Sequence, residues 1–157
     1  MATLEVTVPQ SSQNIIGVVT LEAPRSRVFA AYTDPELFSK WWGRGHPMTI
    51  YRFDCKSGGC WHIAEHAPDG RVHEFMGSFH EVADNERIVQ TFEYLGMPER
   101  GHVFLERADF LAIDAVTTEI RTLGTAQSCE ERDGMVASGM EGGWRQSVEA
   151  LGRLIEE

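Results

Sequence analysis

An α+β domain, with a seven-stranded antiparallel sheet and one long C-terminal helix, is predicted by three observations. Residues 15–21 and 48–125 fall into short β-like runs separated by turn residues. Residues 128–155 instead carry apolar side chains at helical spacing. The chain has 157 residues, 42% hydrophobic and 24% charged, which is enough for one core and too short for two.

Residues 1–13 end in Gln10-Ser11-Ser12-Gln13 and show no sustained pattern, so they are expected to form a flexible N-terminal arm before a single domain over residues 14–157. The run 15–21 is rich in β-branched residues and is stopped by Pro24, which makes it the first strand. Val28, Phe29 and Tyr32 then fall at i, i+1 and i+4, a short helix that Asp34-Pro35 breaks. Asp34 stands as the cap, and Pro35 as the first position, of a second short helix that stops at Gly43. Six strands follow over 48–55, 60–66, 72–82, 87–95, 103–111 and 117–125. Their connections, among them Lys56-Ser57-Gly58-Gly59, Pro68-Asp69-Gly70 and Ala83-Asp84-Asn85, are short enough for hairpins and therefore for antiparallel pairing. Ser128, followed by Glu130, Glu131 and Asp133, opens the last element, where the helix dipole favours acidic groups. A short turn through Met135 and a kink near Gly139 lead into the long helix, which ends at Ile155. Val136, Met140, Trp144, Ser147, Val148, Leu151, Leu154 and Ile155 lie within a third of its wheel and form its core face.

Glycines at 139, 142, 143 and 152 interrupt that helix, each at a cost of roughly 0.5–1 kcal/mol relative to alanine. Gly139, Gly143 and Ser147 form a ridge of small residues at i, i+4 and i+8 beside the bulky ridge Val136, Met140, Trp144 and Val148. Such a ridge either admits a neighbouring backbone or leaves volume for a small molecule. Gly142 and Gly152 face away from it.

The net charge is −10 and Lys and Arg are scattered singly, so neither nucleic acid nor an anionic membrane is an expected partner. With no basic segment leading an apolar run at the start, and no stretch of about 18 apolar residues, the expected location is the cytoplasm. Cys55, Cys60 and Cys129 include no C-x-x-C and are expected to be reduced, structural thiols.

Nucleophile-elbow, zinc-protease, phosphate-loop and dinucleotide signatures are all missing from the sequence. Cys60, His62 and His66 share strand parity, but side chains two apart on a strand are nearly 7 Å apart, so the three cannot close on one ion. A His66/His73 pair across a turn at Asp69-Gly70 lacks third and fourth ligands. Neither a metal nor a cofactor is expected.

Closing the hairpin at Asp69-Gly70 puts Glu65, Glu74 and His80 on one face with Trp61, Ile63, Met76 and Ser78. A carboxyl among apolar neighbours acquires a raised pKa suited to acid–base work, which makes these three the catalytic candidates. The opposite face, with Cys60, Ala64, Phe75 and Phe79, is as apolar, and a bulge near Gly77 would exchange the two midway, so both faces stay open. On the next strand Ile88, Gln90, Phe92 and Tyr94 read as the inner set. Gln90 is then an amide in an apolar wall, which either orients a ligand or bonds backbone or water. Trp41 and Trp42, about 100° apart on a helix, send one ring inward and leave the other partly exposed. The loop 96–101 has glycine at both ends and reads as a mobile lid or a long hairpin connection.

The segments LEAPRSRVFAAYTDP, DPELFSKWWG, KSGGCWHIAEHAPDGRVHEFMGSFHEV and EERDGMVASGMEGGWRQSVEALGRLIEE together resemble the family named for the activator of heat-shock-protein-90 ATPase homologue. That family is a branch of the START-like, helix-grip (SRPBCC) superfamily. The resemblance runs over residues 15–156 in order and implies a curved sheet wrapped around the C-terminal helix, with two short helices between the first and second strands. It also implies a cavity between sheet and helix, which favours the cavity account of Gly139, Gly143 and Ser147, and it favours Trp61 and Ile63 as inward-facing. On this basis the expected function is binding of a small apolar, aromatic or lipid-like molecule by Trp41, Trp61, Ile63, Met76, Gln90, Phe92, Met140, Gly143, Trp144 and Ser147. Two alternatives stand beside it. One is an enzyme of the cyclase, aromatase or hydrolase type working in the same cavity through His80, Glu65 or Glu74. The other is a chaperone-interacting stress-response module without ligand, although the separate N-terminal docking domain of the eukaryotic co-chaperones has no room in 157 residues. A second copy of the chain, as a homodimer, is the other partner considered.

Overall fold

Antiparallel pairing organises the chain: the computed structural model describes residues 1–156, and its strands form one eight-stranded sheet. The strands are β1 (Thr3–Thr7), β2 (Asn14–Leu21), β3 (Met48–Phe53), β4 (Cys60–His66), β5 (Val72–Ala83), β6 (Arg87–Tyr94), β7 (Val103–Asp114) and β8 (Thr117–Thr125), in the spatial order β1-β2-β8-β7-β6-β5-β4-β3. Helices α1 (Arg25–Thr33) and α2 (Pro35–Phe38) carry the chain from β2 to the far edge, while α3 (Cys129–Ala137) and α4 (Met140–Ile155) follow β8. The caps are those the residue types call for: the Asp34 side chain accepts the Glu36 N–H at 2.9 Å, and Ser128 Oγ accepts that of Glu131 at 3.1 Å. On α4, Val148, Leu151 and Ile155 are buried in one cluster with Val19, Leu21, Phe110 and Ile120. Each of these side chains contributes about 1.5–3 kcal/mol on burial. Among the described residues no helix is long and apolar enough to cross a membrane.

Three expectations are corrected. Residues 1–13 are not a loose arm along their length, because Thr3–Thr7 adds an eighth strand, paired with β2 from Thr3↔Thr20 to Thr7↔Ile16. Leu4 is buried, and its carbonyl accepts from Arg145 Nη1 at 3.0 Å. Gly152 serves the same contact, since a Cβ there would lie 2.8 Å from that of Ala2. Second, the kink expected near Gly139 is a full break that divides the C-terminal element into two helices. Gly139 takes φ 85°, in the left-handed region open to a residue without Cβ, and turns the chain from α3 into α4 instead of extending a small-residue ridge.

The third correction concerns register. Ala67 O accepts the Gly70 N–H at 3.0 Å, and Ala67 N–H reaches Arg71 O at 2.9 Å, with Gly70 at φ 88°. The loop is therefore three residues, Pro68-Asp69-Gly70, and it pairs His66 with Val72 and Glu65 with His73. A two-residue turn at Asp69-Gly70 would be one residue out of step, and a slip of one sends every side chain of a strand to the other face. The inner face thus holds Trp61, Ile63 and Glu65 beside Gly77, Phe75 and His73, with Glu74 and Met76 on the outside. The irregularity between β5 and β6 falls between Phe79 and Glu81, not at Gly77, and leaves His80 exposed.

Candidate functional site

A cavity of about 1020 Å³ lies between the inner face of the sheet and the helices α3 and α4. Its floor follows from cross-strand pairing. Phe79, Gln90, Glu106, Gly124 and Ile15 stand in one row across β5, β6, β7, β8 and β2. The adjacent row runs Ile88, Ala108, Thr122 and Gly17. Small residues keep this floor low. A Cβ on Gly17 would lie 2.1 Å from Trp144 Cη2, so the bare strand lets the indole of α4 rest on it. Beside Glu106, a Cβ on Gly124 would meet nothing nearer than Ile15 O at 3.7 Å.

One wall is aromatic. Phe75 stands 5.0 Å from Trp42, 5.4 Å from Phe92 and 5.2 Å from Tyr94 between ring centroids, and Trp61 stands 6.1 Å from Phe92. Trp41 is fixed by the bond from its Nε1 to Ala31 O at 2.8 Å. The Trp61 indole N–H is buried without a hydrogen-bond partner among the described residues. Trp42 is only half-buried, so the adjacent tryptophans divide as their angular separation requires.

The lining carries two acidic hydrogen-bonding groups, Glu106 on the floor and Tyr32 on α1. Gln90 Nε2 donates to Glu106 Oε1 at 3.0 Å, and burial raises the Glu106 pKa while the Gln90 bond partly offsets the rise. The Tyr32 ring packs 4.7 Å from Trp41 and 5.1 Å from Phe110, and burial, followed by the nearby Glu106 charge, pushes its phenol above the ordinary range.

The rim is ionic. Gly43, Arg44 and Gly45 are all left-handed, at φ 63°, 62° and 73°. A non-glycine residue there costs about 1–2 kcal/mol, so Arg44 must be held. Its backbone N–H donates to Ser147 Oγ at 2.8 Å, and its guanidinium Nη2 lies 3.0 Å from Glu65 Oε2, where His46 Nδ1 also stands at 2.7 Å. Gly143 borders the same turn, with Arg44 Cδ 3.7 Å from where its Cβ would be. Elsewhere on the rim His102 links the β6–β7 connection to α3, with Nδ1 2.9 Å from Glu131 Oε1 and Nε2 3.2 Å from Glu99 Oε1. Glu131, then Glu99, raises the His102 pKa. The 96–101 loop is further tied down by Glu93, which accepts from Arg100 Nε at 3.2 Å and Gly101 N–H at 2.7 Å. Arg100 and then Gly101 hold that carboxyl below its usual range.

Of the residues singled out from sequence, Trp41, Trp61, Glu65, Gln90, Phe92, Met140, Gly143, Trp144 and Ser147 line the cavity. Ile63 is fully buried in the core behind that lining. Met76 is on the outer face, with its sulfur 3.2 Å from Arg100 Nη2. Glu74 is also outside, 2.7 Å from His62 Nε2, and His80 is exposed at the bulge. Sequence reasoning passed over Glu106, Tyr32, Arg44, His102 and Glu131 and weighed His73 only as a metal ligand, yet all six line the cavity. For Glu106 the signal was available, because it shares strand parity with Phe104, Ala108 and Phe110. Cys55 offers no nucleophile, as burial and then Asp54 push its thiol up to about 11. Among the described residues no group of three or more His, Cys, Asp or Glu side chains is placed to hold a metal ion.

No curated protein matches the chain in sequence. Solved structures match it in fold. A protein of Rhodobacter sphaeroides is 22% identical with TM-score 0.82, over 97% of each chain. A protein of Mycobacterium smegmatis is 20% identical with TM-score 0.86, over 98% of this chain and 96% of its own. DynU16, described as a protein of the dynemicin biosynthetic locus, is 19% identical with TM-score 0.66, over 92% of this chain and 47% of its own. At such identities the likeness establishes the fold, here the helix-grip arrangement of an antiparallel sheet and a C-terminal helix. In sequence, residues 22–156 match the family described as Activator of Hsp90 ATPase homolog 1-like protein, and the chain belongs to that family.

Proposed function

We propose that the protein binds a small, largely apolar molecule of aromatic character in the cavity between its sheet and α4. The supporting observation is the hollow itself, about 1020 Å³ beside a continuous wall of aromatic rings. Protein interiors otherwise pack densely, with few voids larger than a water, and ligand sites run to about 300–1,000 Å³. A ligand-free interaction module would have a filled core, so the hollow weighs against that alternative. A second function, chemistry on the bound molecule, is favoured by Glu106, a cavity-facing carboxyl with a raised pKa. The description of DynU16 as a protein of a biosynthetic locus is compatible with either.

The test pairs native mass spectrometry of protein from its own host with uptake of N-phenylnaphthylamine, an apolar dye that fluoresces when buried. Gly143→Leu supplies the control. Among the described residues only Arg44 Cδ, at 3.7 Å, stands near the new Cβ, and helix propensity improves by up to about 1 kcal/mol, so the fold should persist while the longer side chain fills the hollow. Dye uptake is expected to fall several-fold without a lower Tm. A wild-type protein that retains no small molecule and takes up no dye overturns the proposal, as does uptake indifferent to Gly143→Leu.

A further inference from the structure

We infer that the ligand carries a neutral oxygen function, a carbonyl or hydroxyl, and that Glu106, Gln90 and Tyr32 form the subsite that reads it. This rests on the cavity binding an apolar molecule, and it specifies what one end of that molecule must be.

Glu106 stands mid-floor, and its surroundings are unusual for a carboxyl. Gln90 bonds one oxygen at 3.0 Å, while its cross-strand neighbour on β8 is Gly124 and, of the two inward residues that flank it on β7, Phe104 and Ala108, the second is small. Neither Gly124 nor Ala108 covers the group. Among the described residues no hydrogen-bond donor reaches its other oxygen and no cation pairs with it. The adjacent Arg107 is on the opposite face and is engaged by Asp109 at 2.9 Å. Tyr32 is held by ring contacts with Trp41 and Phe110, and among the described residues its hydroxyl has no hydrogen-bond partner. The cavity lining therefore offers a carboxyl, a phenol and an amide within an apolar enclosure, with unused bonding capacity.

That capacity constrains the occupant. Water can satisfy these groups when the cavity is empty, but a wholly apolar ligand would displace it and leave them unpaired, which lowers affinity. An anionic end would meet a carboxyl and a phenol, while the Arg44 guanidinium that also lines the cavity is engaged by Glu65 at the rim. An ammonium would need the Glu106 carboxylate, and burial raises its pKa and so disfavours that form. A neutral oxygen suits all three groups, because it accepts from the Tyr32 O–H and from Glu106 in its protonated form, which burial favours, and, as a hydroxyl, donates to the Gln90 carbonyl.

Four naphthalenes substituted at one ring position separate these cases: acetylnaphthalene, ethylnaphthalene, naphthoate and naphthylmethylammonium. Each is titrated against bound N-phenylnaphthylamine at neutral pH in the wild-type protein, Glu106→Gln and Glu106→Leu. In the wild type the ketone is expected to displace the dye at roughly tenfold lower concentration than the hydrocarbon, the worth of one good hydrogen bond. Glu106→Gln, whose amide still donates, keeps that preference, and Glu106→Leu abolishes it. Equal affinity for ketone and hydrocarbon, an unchanged preference in Glu106→Leu, or tightest binding of the ammonium overturns the subsite while the cavity function stands. Failure of the dye and all four naphthalenes to bind overturns the cavity function and this inference with it. If Glu106→Leu does not fold, Tyr32→Phe removes the hydroxyl alone and is expected to shrink the preference about threefold; an unchanged preference there likewise overturns the subsite.

Discussion

At the rim of the cavity Glu65 meets the Arg44 guanidinium at 3.0 Å and the His46 ring at 2.7 Å, whereas on the floor Glu106 meets, among the described residues, only the Gln90 amide at 3.0 Å. The residue type and the cavity are the same, so the difference lies in the partners supplied. A buried carboxylate with a guanidinium and an imidazole is a clamp: it fixes a strained turn and has little capacity left for anything else. A buried carboxyl with one amide is less stabilised in its charged form and keeps bonding capacity for an occupant. The contrast teaches that burial of an acid beside a cavity does not by itself mark function; the unpaired acid does.

The comparison breaks most readily at the rim. Arg44→Met leaves Glu65, which is 3% exposed, with His46 as its remaining partner, while the turn keeps its backbone bond to Ser147. Because the Arg44 side chain is a third exposed and His46 remains beside Glu65, the expected loss falls below that of a fully buried pair, at about 2 kcal/mol in urea denaturation. A loss under roughly 1 kcal/mol would show that the clamp is not structural. On the floor the expected effect is smaller and depends on pH. Because the folded pKa of Glu106 is raised, its contribution to stability is fully present below the unfolded carboxylate range and is lost as pH rises through the folded pKa. Glu106→Gln has no proton to lose, so the variant should gain on the wild type as pH rises across that window. Parallel stability profiles for the two proteins would mean that Glu106 is as well solvated as a surface acid.

The two regions also differ in how far the sequence discloses them. Strands between residues 48 and 125 are legible because Gly, Pro, Asn or Asp punctuates nearly every connection, and Gln90 is legible because Ile88 and Phe92 flank it at the strand period. The rim is not. Arg44 becomes a rim residue only through three successive left-handed residues and a hydroxyl from α4, and no local pattern encodes that meeting. The hairpin misleads for a definite reason: Asp-Gly favours a two-residue turn, yet Pro68 at the first central position of the loop makes a three-residue one equally natural. Choosing between them exchanges Glu65 and His73 for Glu65 and Glu74 as the pair beside the cavity. β1 escapes notice because only Leu4 and Val6 alternate within it, and its support comes from Gly152 and Arg145 at the other end of the chain.

The smallest effect belongs to His102, and it sharpens the comparison because it shares a direction with Glu106 and differs in cause. Glu131 and then Glu99 raise the His102 pKa, so its contribution is fully present below the unfolded histidine pKa, about 6.5, and fades as pH rises through the folded value. The ring and Glu131 are each a quarter exposed and Glu99 is mostly exposed, so solvent screens the pair and the effect on global stability is slight. Its readout is therefore local: in an NMR titration the His102 ring should titrate above 6.5, and Glu131→Gln should bring it down. Salt then separates rim from floor. Attraction between exposed charges weakens as the Debye length falls from about 10 Å at 0.1 M to about 3 Å at 1 M, so the His102 shift should shrink in concentrated salt. The Glu106 step arises from burial, with no counter-charge to screen, and should persist. If salt removed both, the floor would also be governed by charge pairing, and the distinction between a paired rim and an unpaired floor would fail.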